Sequence, residues 1–228
     1  MKKENNSNKR KSLAFAIAIV AIIIIAVSGG TYAYWLWTSG TNTAVSFTVG
    51  GGTMTIDGGG NISSKTLAPA NCTNTTYAIQ RKIMVTASND TATNMVGTIG
   101  LNVVALTATH NASQLNSVKS NIKYALREVT QAQYNATAFT LTSGDTCATS
   151  ATASGNFGSY STGNTIQLLN NIAIPAASGS TAGTVTKYYE LYIWIDKSYS
   201  TTTTDTTITD PLQDLTLNLS WYGSMTQS

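Results

Sequence analysis

The sequence predicts an all-β protein, built as an antiparallel β-sandwich with one short helical insert and preceded by an apolar helix. Two observations support this class. Beyond residue 34 the apolar residues recur mostly at every second position, which is typical of half-buried strands. Short stretches of Gly, Ser, Thr and Asn separate these runs, and no strand-helix alternation indicates a parallel sheet. We therefore expect residues 34–228 to form a single domain behind a leader at residues 1–33.

The first element is an N-terminal targeting segment. Residues 1–12 are basic and rich in Asn, and residues 13–27 are uninterrupted apolar residues. With Ala33 as a small residue before a cut, this pattern predicts a signal peptide cleaved between Ala33 and Tyr34. The alternative is a retained membrane anchor over residues 13–37; a buried core helix is a third interpretation, which the basic flank disfavours. Because the basic residues stay inside, both of the first two place the domain outside the cell or at its surface.

Strands follow along the domain in a regular series. Apolar residues at alternate positions, bounded by turn residues, predict each of them. A polar turn, Ser-Asn-Asp-Thr at residues 88–91, separates two of the runs and predicts a strand-turn-strand unit. The predicted strands are 45–49, 54–56, 83–87, 99–105, 122–129, 139–141 and 166–174.

Two further strands near the C-terminus have the clearest alternation. The run KYYELYIWID, residues 187–196, predicts an aliphatic inner face and an outer face that carries Tyr192 and Trp194. The run DLTLNLSWYG, residues 214–223, places Leu and Trp on one face and Tyr222 on the other. Flat aromatic rings beside polar groups suit the faces of sugars. Tyr192, Trp194 and Tyr222 are therefore candidate residues for contact with a carbohydrate or a host protein.

One helix is predicted at residues 112–120, after a capping Asn111, because its apolar residues have helical spacing. It would be an insert between strands. Residues 142–165 and 198–210 are rich in Thr, Ser and Gly and are expected to be loops.

The two cysteines, Cys72 and Cys147, are both in the predicted extracellular part of the chain. Their spacing differs from the CxxC of a zinc or redox site, so a disulfide within the domain is the simplest interpretation in an oxidising compartment. The alternative is a pair of buried free thiols.

The charge of the domain excludes nucleic acid as a partner. Charged residues are 10% of the chain, against about 25% in ordinary soluble domains. The formal net charge of +3 comes from the leader, because beyond residue 33 the chain has 8 basic and 9 acidic residues. Phosphate binding needs clustered Lys and Arg, and the domain has no such cluster in its sequence.

Catalytic motifs are missing from the sequence, and we expect no enzyme, no cofactor and no metal site. His110 is the single histidine, so neither an HExxH motif nor a multi-histidine zinc site can form. The chain has no GxSxG elbow, P-loop or dinucleotide fingerprint. Asp205, Asp210 and Asp214 have a spacing that matches no calcium loop.

Three stretches carry a resemblance to a known family. They are GGTYAYW followed by TSGTNTAVSFTVG, then KTLAPANCTNTTYAIQRKIMVTASND with Leu67 and Pro69, and the closing DLTLNLSWYG. With these the chain resembles the TasA/camelysin family of secreted matrix-fibre proteins of Gram-positive bacteria, which a dedicated signal peptidase processes. The resemblance implies a jelly-roll-like or immunoglobulin-like sandwich whose copies polymerise when a strand near the processed N-terminus completes a neighbour's sheet. The chain departs from the family in its few charged residues and its two cysteines.

These observations lead to two hypotheses of different classes. In the first, the chain is a non-enzymatic structural protein that polymerises with itself or joins related fibre subunits in the biofilm matrix. Cleavage after Ala33 exposes Tyr34, Trp35, Leu36 and Trp37, an aromatic cluster that must be buried either on its own sandwich or in a neighbour's sheet. In the second, the chain is an adhesin held in the membrane by residues 13–37.

Overall fold

The fold is an all-β sandwich of two antiparallel sheets. The computed structural model describes residues 44–58, 60–63, 67–108, 115–141, 147–197 and 215–228. Within these residues the strands are β1 (Val45–Val49), β2 (Gly52–Asp57), β3 (Ile79–Asn89), β4 (Met95–Ala108), β5 (Ile122–Val129), β6 (Ala153–Asn156), β7 (Thr165–Ile174), β8 (Gly183–Ile195) and β9 (Leu215–Gln227). The helices are α1 (Leu115–Asn121) and α2 (Gln131–Asn135).

The two sheets differ in width. The larger sheet has six strands in the order β1-β2-β3-β8-β5-β6, and the smaller has three in the order β7-β4-β9. Every strand pairing is antiparallel. The inward side chains of both sheets form one hydrophobic core, and its largest fully buried side chains include Trp221, Tyr189 and Phe157. Burial of this shared core is the main force that holds the two sheets together.

A tight hairpin connects β1 to β2 through Gly50 and Gly51. Their φ angles are +49° and +88°, and Val49 pairs with Gly52. A two-residue turn with positive φ at both positions has the twist that antiparallel strands require, and glycine adopts it without steric cost. The glycine run at residues 50–52 therefore sets the register between the edge strand and the rest of the sheet.

The strand predictions are largely confirmed. Two of them, 45–49 and 122–129, agree with the observed strands at every residue. The strand predicted at residues 139–141 is wrong, because these residues lie in an irregular segment over the outer face of the six-stranded sheet. The predicted loop at residues 142–165 contains β6, which the pattern missed. The four residues of β6, Ala-Ser-Gly-Asn, have no β-branched or aromatic side chain and so gave no strand signal.

The predicted helical insert is confirmed as α1, although its proposed cap Asn111 lies outside the described residues. A second short helix, α2, was not predicted. It begins with a capping box in which Thr130 and Gln133 satisfy each other's backbone N–H groups. The predicted leader at residues 1–33 and the loop at residues 198–210 also lie outside the described residues.

Candidate functional site

The four edge strands share an unusual composition. None of β1, β6, β7 and β9 contains Asp, Glu, Lys, Arg or Pro, whereas the inner strands β3, β5 and β8 carry charged residues. Edge strands of soluble proteins normally carry charges or Pro, because their unpaired N–H and C=O groups would otherwise pair with another chain. The sandwich lacks that protection at its described edges.

The edges differ in how far they are open. In the described part of the chain, the ten-residue strand β7 pairs with β4 alone, with register shifts along the pairing, and its outer edge has no strand beside it. The edge of β9 is partly closed, since Ile62 and Leu219 exchange backbone hydrogen bonds of 2.9 and 2.8 Å. The strands β1 and β6 have five and four residues. The edge of β7 is therefore the longest uncovered edge among these four.

The predicted assembly segment is adjacent to one of these edges in sequence. Tyr34, Trp35, Leu36 and Trp37, with the cleavage position Ala33, lie outside the described residues. The described chain begins at residue 44 and enters β1 at Val45. The segment is thus joined to the edge strand of the larger sheet by a short connection.

One half of the outer face of the six-stranded sheet is a regular array of hydroxyl groups. Strand register aligns two rows across β1, β2, β3 and β8, and all the side chains are exposed or half-buried. We call this surface the hydroxyl face; its rows are Ser46, Thr55, Thr86, Thr186 and Thr48, Thr53, Ser88, Thr184. The hydroxyl groups of the neighbours Ser46 and Thr55 are hydrogen-bonded at 2.9 Å.

The other half of the same outer face is covered by connecting segments of the protein. A second, smaller apolar cluster forms there around the disulfide, and we call it the covered half; its buried members are Cys72, Ala78, Ala125, Cys147, Tyr192 and Trp194. Cys72 and Cys147 are bonded, which confirms the predicted disulfide. The bond joins two connecting segments that lie outside both sheets, with a sequence separation of 75 between the cysteines.

The covered half corrects the prediction of ligand-facing aromatic residues. Tyr192 is fully buried and Trp194 is 8% exposed, so neither ring is an open surface for stacking on a sugar. Phe139 packs edge-on against Tyr192 with ring centroids 5.8 Å apart. Tyr222 is half-buried on β9, in the other sheet. The period-two pattern gave the right face for each residue, but it could not show that other chain covers the outer face of β8.

A buried carboxylate anchors the covering segment. Glu190 is fully buried, and its oxygens accept bonds from the Thr140 backbone N–H at 3.0 and 3.1 Å, from the Thr140 hydroxyl, and from the Tyr192 hydroxyl at 2.7 Å. A buried charge is tolerated only when hydrogen bonds and an opposite charge compensate it. The opposite charge is Lys82, whose Nζ lies 3.8 Å from Oε1.

Lys82 ties the same segment down from the neighbouring strand. Its ammonium donates to the backbone carbonyls of Gln133, Tyr134, Ala136 and Ala138 at 2.7, 3.2, 2.6 and 2.8 Å. The ammonium also lies 5.4 Å from the centre of the Phe139 ring. Four acceptors for three N–H donors form a nearly complete shell around one charge. Lys82 therefore takes the place of a bound cation in holding the turn that follows α2.

Burial raises the pKa of several tyrosines. For Tyr192 the largest cause is burial, followed by its hydrogen bond to Glu190 and the charge of that carboxylate. Burial likewise raises the pKa of Tyr189, and burial with the neighbouring Tyr160 raises that of Tyr124 to about 12. These hydroxyls remain protonated at neutral pH and act as hydrogen-bond donors or core groups.

The described residues contain no group of three His, Cys, Asp or Glu side chains placed to hold a metal ion. His110 and the three aspartates Asp205, Asp210 and Asp214 lie outside those residues. Neither helix of the described chain is long and apolar enough to cross a membrane.

The pair Lys82 and Glu190 was not predicted from the sequence. The one available signal was a charged residue within an aromatic strand pattern, Glu190 in KYYELYIWID. Its partner follows from strand register, because β3 and β8 place Lys82 directly opposite Glu190. A pairing between residues so distant in sequence is not visible from periodicity.

Comparison with known proteins gives no relative. No family model, no curated protein and no solved structure matches this chain. The resemblance to the TasA/camelysin family thus stays a prediction that rests on the quoted residues.

Proposed function

We propose that this chain is a non-enzymatic extracellular structural protein whose copies assemble into matrix fibres, or join related fibre subunits, by adding a strand to a neighbour's sheet. The observation that carries the proposal is the absence of charge and Pro from every described edge strand. Open edges without such protection are templates for strand addition. A protein that remained monomeric would be expected to place its charged side chains there.

The disulfide supports an extracellular location. Disulfides persist in oxidising environments and are rare in the cytosol. Cys72 and Cys147 are bonded in a buried cluster. Together with the basic and apolar leader, this favours secretion or display on the cell surface.

We place the acceptor edge at β7. The smaller sheet has three strands against six in the larger, and β7 offers ten uncharged residues on its open side. In this mechanism cleavage after Ala33 frees the segment Tyr34 to Trp37, which pairs with β7 of another copy in a jelly-roll-like arrangement. The competing arrangement has the segment fold back onto its own sandwich.

The first test is the intact mass and N-terminal sequence of the protein recovered from cells and from the medium. A chain that begins at Tyr34 in the medium supports the proposal. An uncut chain in the membrane fraction contradicts it and favours the alternative, an adhesin anchored through residues 13–37.

The second test places a charge on the acceptor edge. Asn171→Lys puts an ammonium on an exposed position of β7, and we expect it to abolish fibres seen by electron microscopy. Thr186→Lys is the matched control, because it adds the same charge at an exposed position of the inner strand β8. If both variants, or neither, lose assembly, the β7 edge is not the acceptor.

A further inference from the structure

A pocket of about 420 Å³ lies on the outer face of the six-stranded sheet, beside the covered half. Its volume is in the range of small-ligand sites, roughly 300–1,000 Å³. The side chains that line it include Lys123, Ser154, Asn156, Trp194, Asp196 and Lys197.

Strand register brings these groups together. Asn156 on β6, Lys123 on β5 and Trp194 on β8 are direct partners across three neighbouring strands, so their side chains lie in one row on one face. Ala148, next to the disulfide, contributes another wall. Because the side chain of Ala148 is small, it leaves space between the disulfide segment and β6.

The pocket concentrates positive charge in a domain that has little. Beyond residue 33 the chain has only 8 basic residues, and Lys123 and Lys197 both line this pocket. Asp196 offsets one of these charges, which leaves an excess of one positive charge. Lys123 donates one bond of 3.1 Å to the carbonyl of Ser120, which holds its ammonium in place. An ammonium has three N–H donors, so Lys123 retains donors for a ligand.

Other basic residues of the sheet are engaged elsewhere. Lys82 is surrounded by carbonyls and Glu190, and Lys187 pairs with Glu128 at 2.6 Å. Arg127 donates to the Thr140 hydroxyl at 3.1 Å. Lys123, which bonds to the Ser120 carbonyl, is the basic side chain of the sheet that lines the pocket.

We infer that this pocket binds a sugar unit that carries a carboxylate or a phosphate. Trp194 is 8% exposed, so its ring forms part of a wall and offers no broad stacking surface. Recognition must then come from the polar groups: the ammonium of Lys123 on the anion, and Asn156 and Ser154 on hydroxyls of the ring. A neutral sugar lacks the anionic group and would bind weakly. This site is independent of the proposed strand addition, and it gives the protein a means to hold an acidic polysaccharide.

The test is a titration of the full chain, monitored by two-dimensional NMR. It uses four probes: glucuronate, glucose 6-phosphate, glucose and inorganic phosphate. We expect saturable shifts at Lys123 and Trp194 with one or both acidic sugars, and none with glucose. The acidic sugar that binds identifies the anionic group. Equal binding of glucose would overturn the proposal. Binding of inorganic phosphate as tight as that of glucose 6-phosphate would also overturn the proposal, because the site would then recognise only the anion.

A charge-neutralising variant distinguishes binding at this site from attraction to the general surface charge. We expect Lys123→Gln to weaken acidic-sugar binding roughly tenfold, the loss of one charge-assisted hydrogen bond. Arg81→Gln, at an exposed position on β3 away from the pocket, is the matched control and should leave binding unchanged. Unchanged binding in Lys123→Gln, with a melting temperature equal to that of the parent, would contradict the assignment.

Discussion

The two halves of the outer face of the six-stranded sheet meet on β3 and β8 and yet have opposite environments. Along β8, Thr184 and Thr186 face solvent, while Glu190 and Tyr192 on the same side are fully buried. In both halves the side chains along the strands alternate between the inner and the outer face. What differs is the chain between strands, because the disulfide-linked segments and the turn after α2 cover one half and leave the other open. Burial on a sheet face is thus decided by connections as well as by strand periodicity.

The largest expected effect comes from removing the disulfide. The chain-entropy model predicts a loss of about 4.5 kcal/mol for a loop of this length when Cys72→Ala and Cys147→Ala are combined. Because the bond also holds the covering segments together, amide exchange at Tyr192 and Trp194 should accelerate more than exchange on the hydroxyl face. Urea unfolding and hydrogen exchange measure the two quantities. A uniform acceleration of exchange over both halves would mean that the disulfide does not stabilise the covered half selectively.

Disturbing the buried carboxylate should have the next largest effect. Glu190→Gln places an amide N–H₂ group among donors from Thr140 and Tyr192 and removes the charge opposite Lys82, which should cost about 3 kcal/mol. Glu128→Gln is the matched control, since its ion pair with Lys187 is more than one third exposed and should cost under about 1 kcal/mol. Chemical denaturation of both variants checks this. Similar losses in the two would contradict a special role for Glu190.

A smaller effect is expected from alkaline pH. The raised pKa of Tyr192 means that the unfolded chain loses this proton first, near the ordinary value of 10.0. The protonated hydroxyl therefore makes its full contribution to the free energy of unfolding below pH 10. This contribution is lost as pH rises further, by up to about 1.4 kcal/mol per pH unit. Tyr192→Phe should make the decline of stability above pH 10 correspondingly shallower, as measured by urea midpoints between pH 8 and 11. An unchanged slope would show that Tyr192 does not contribute.

The hydroxyl face should give the smallest change in stability. Thr55→Val, Thr86→Val and Thr186→Val keep the branched shape and the strand preference, so each should alter the free energy of unfolding by less than about 0.5 kcal/mol. Urea unfolding of the three single variants measures this. A loss above about 1 kcal/mol in any of them would indicate that this face is packed against another part of the chain.

The sequence predicted most of the strands and the disulfide because both follow from local or compositional rules. Alternation located β5 and β9, and compartment and cysteine number indicated the pair Cys72 and Cys147. Periodicity failed where a second layer covers the sheet, as at Tyr192 and Trp194, since a residue that faces outward can still be buried. It also gave no indication of the pocket beside Trp194, which depends on the register between β6, β5 and β8.

The position of the disulfide has a consequence for how the protein matures. Cys72 precedes β3 and Cys147 follows β5, but β8, the strand that lies between β3 and β5, is synthesised after both. Tyr192 and Trp194, which belong to the same buried cluster as the two cysteines, are therefore the last part of that cluster to be synthesised. If the buried cluster must form before the bond does, oxidation follows the docking of β8 and takes place on nearly folded chains.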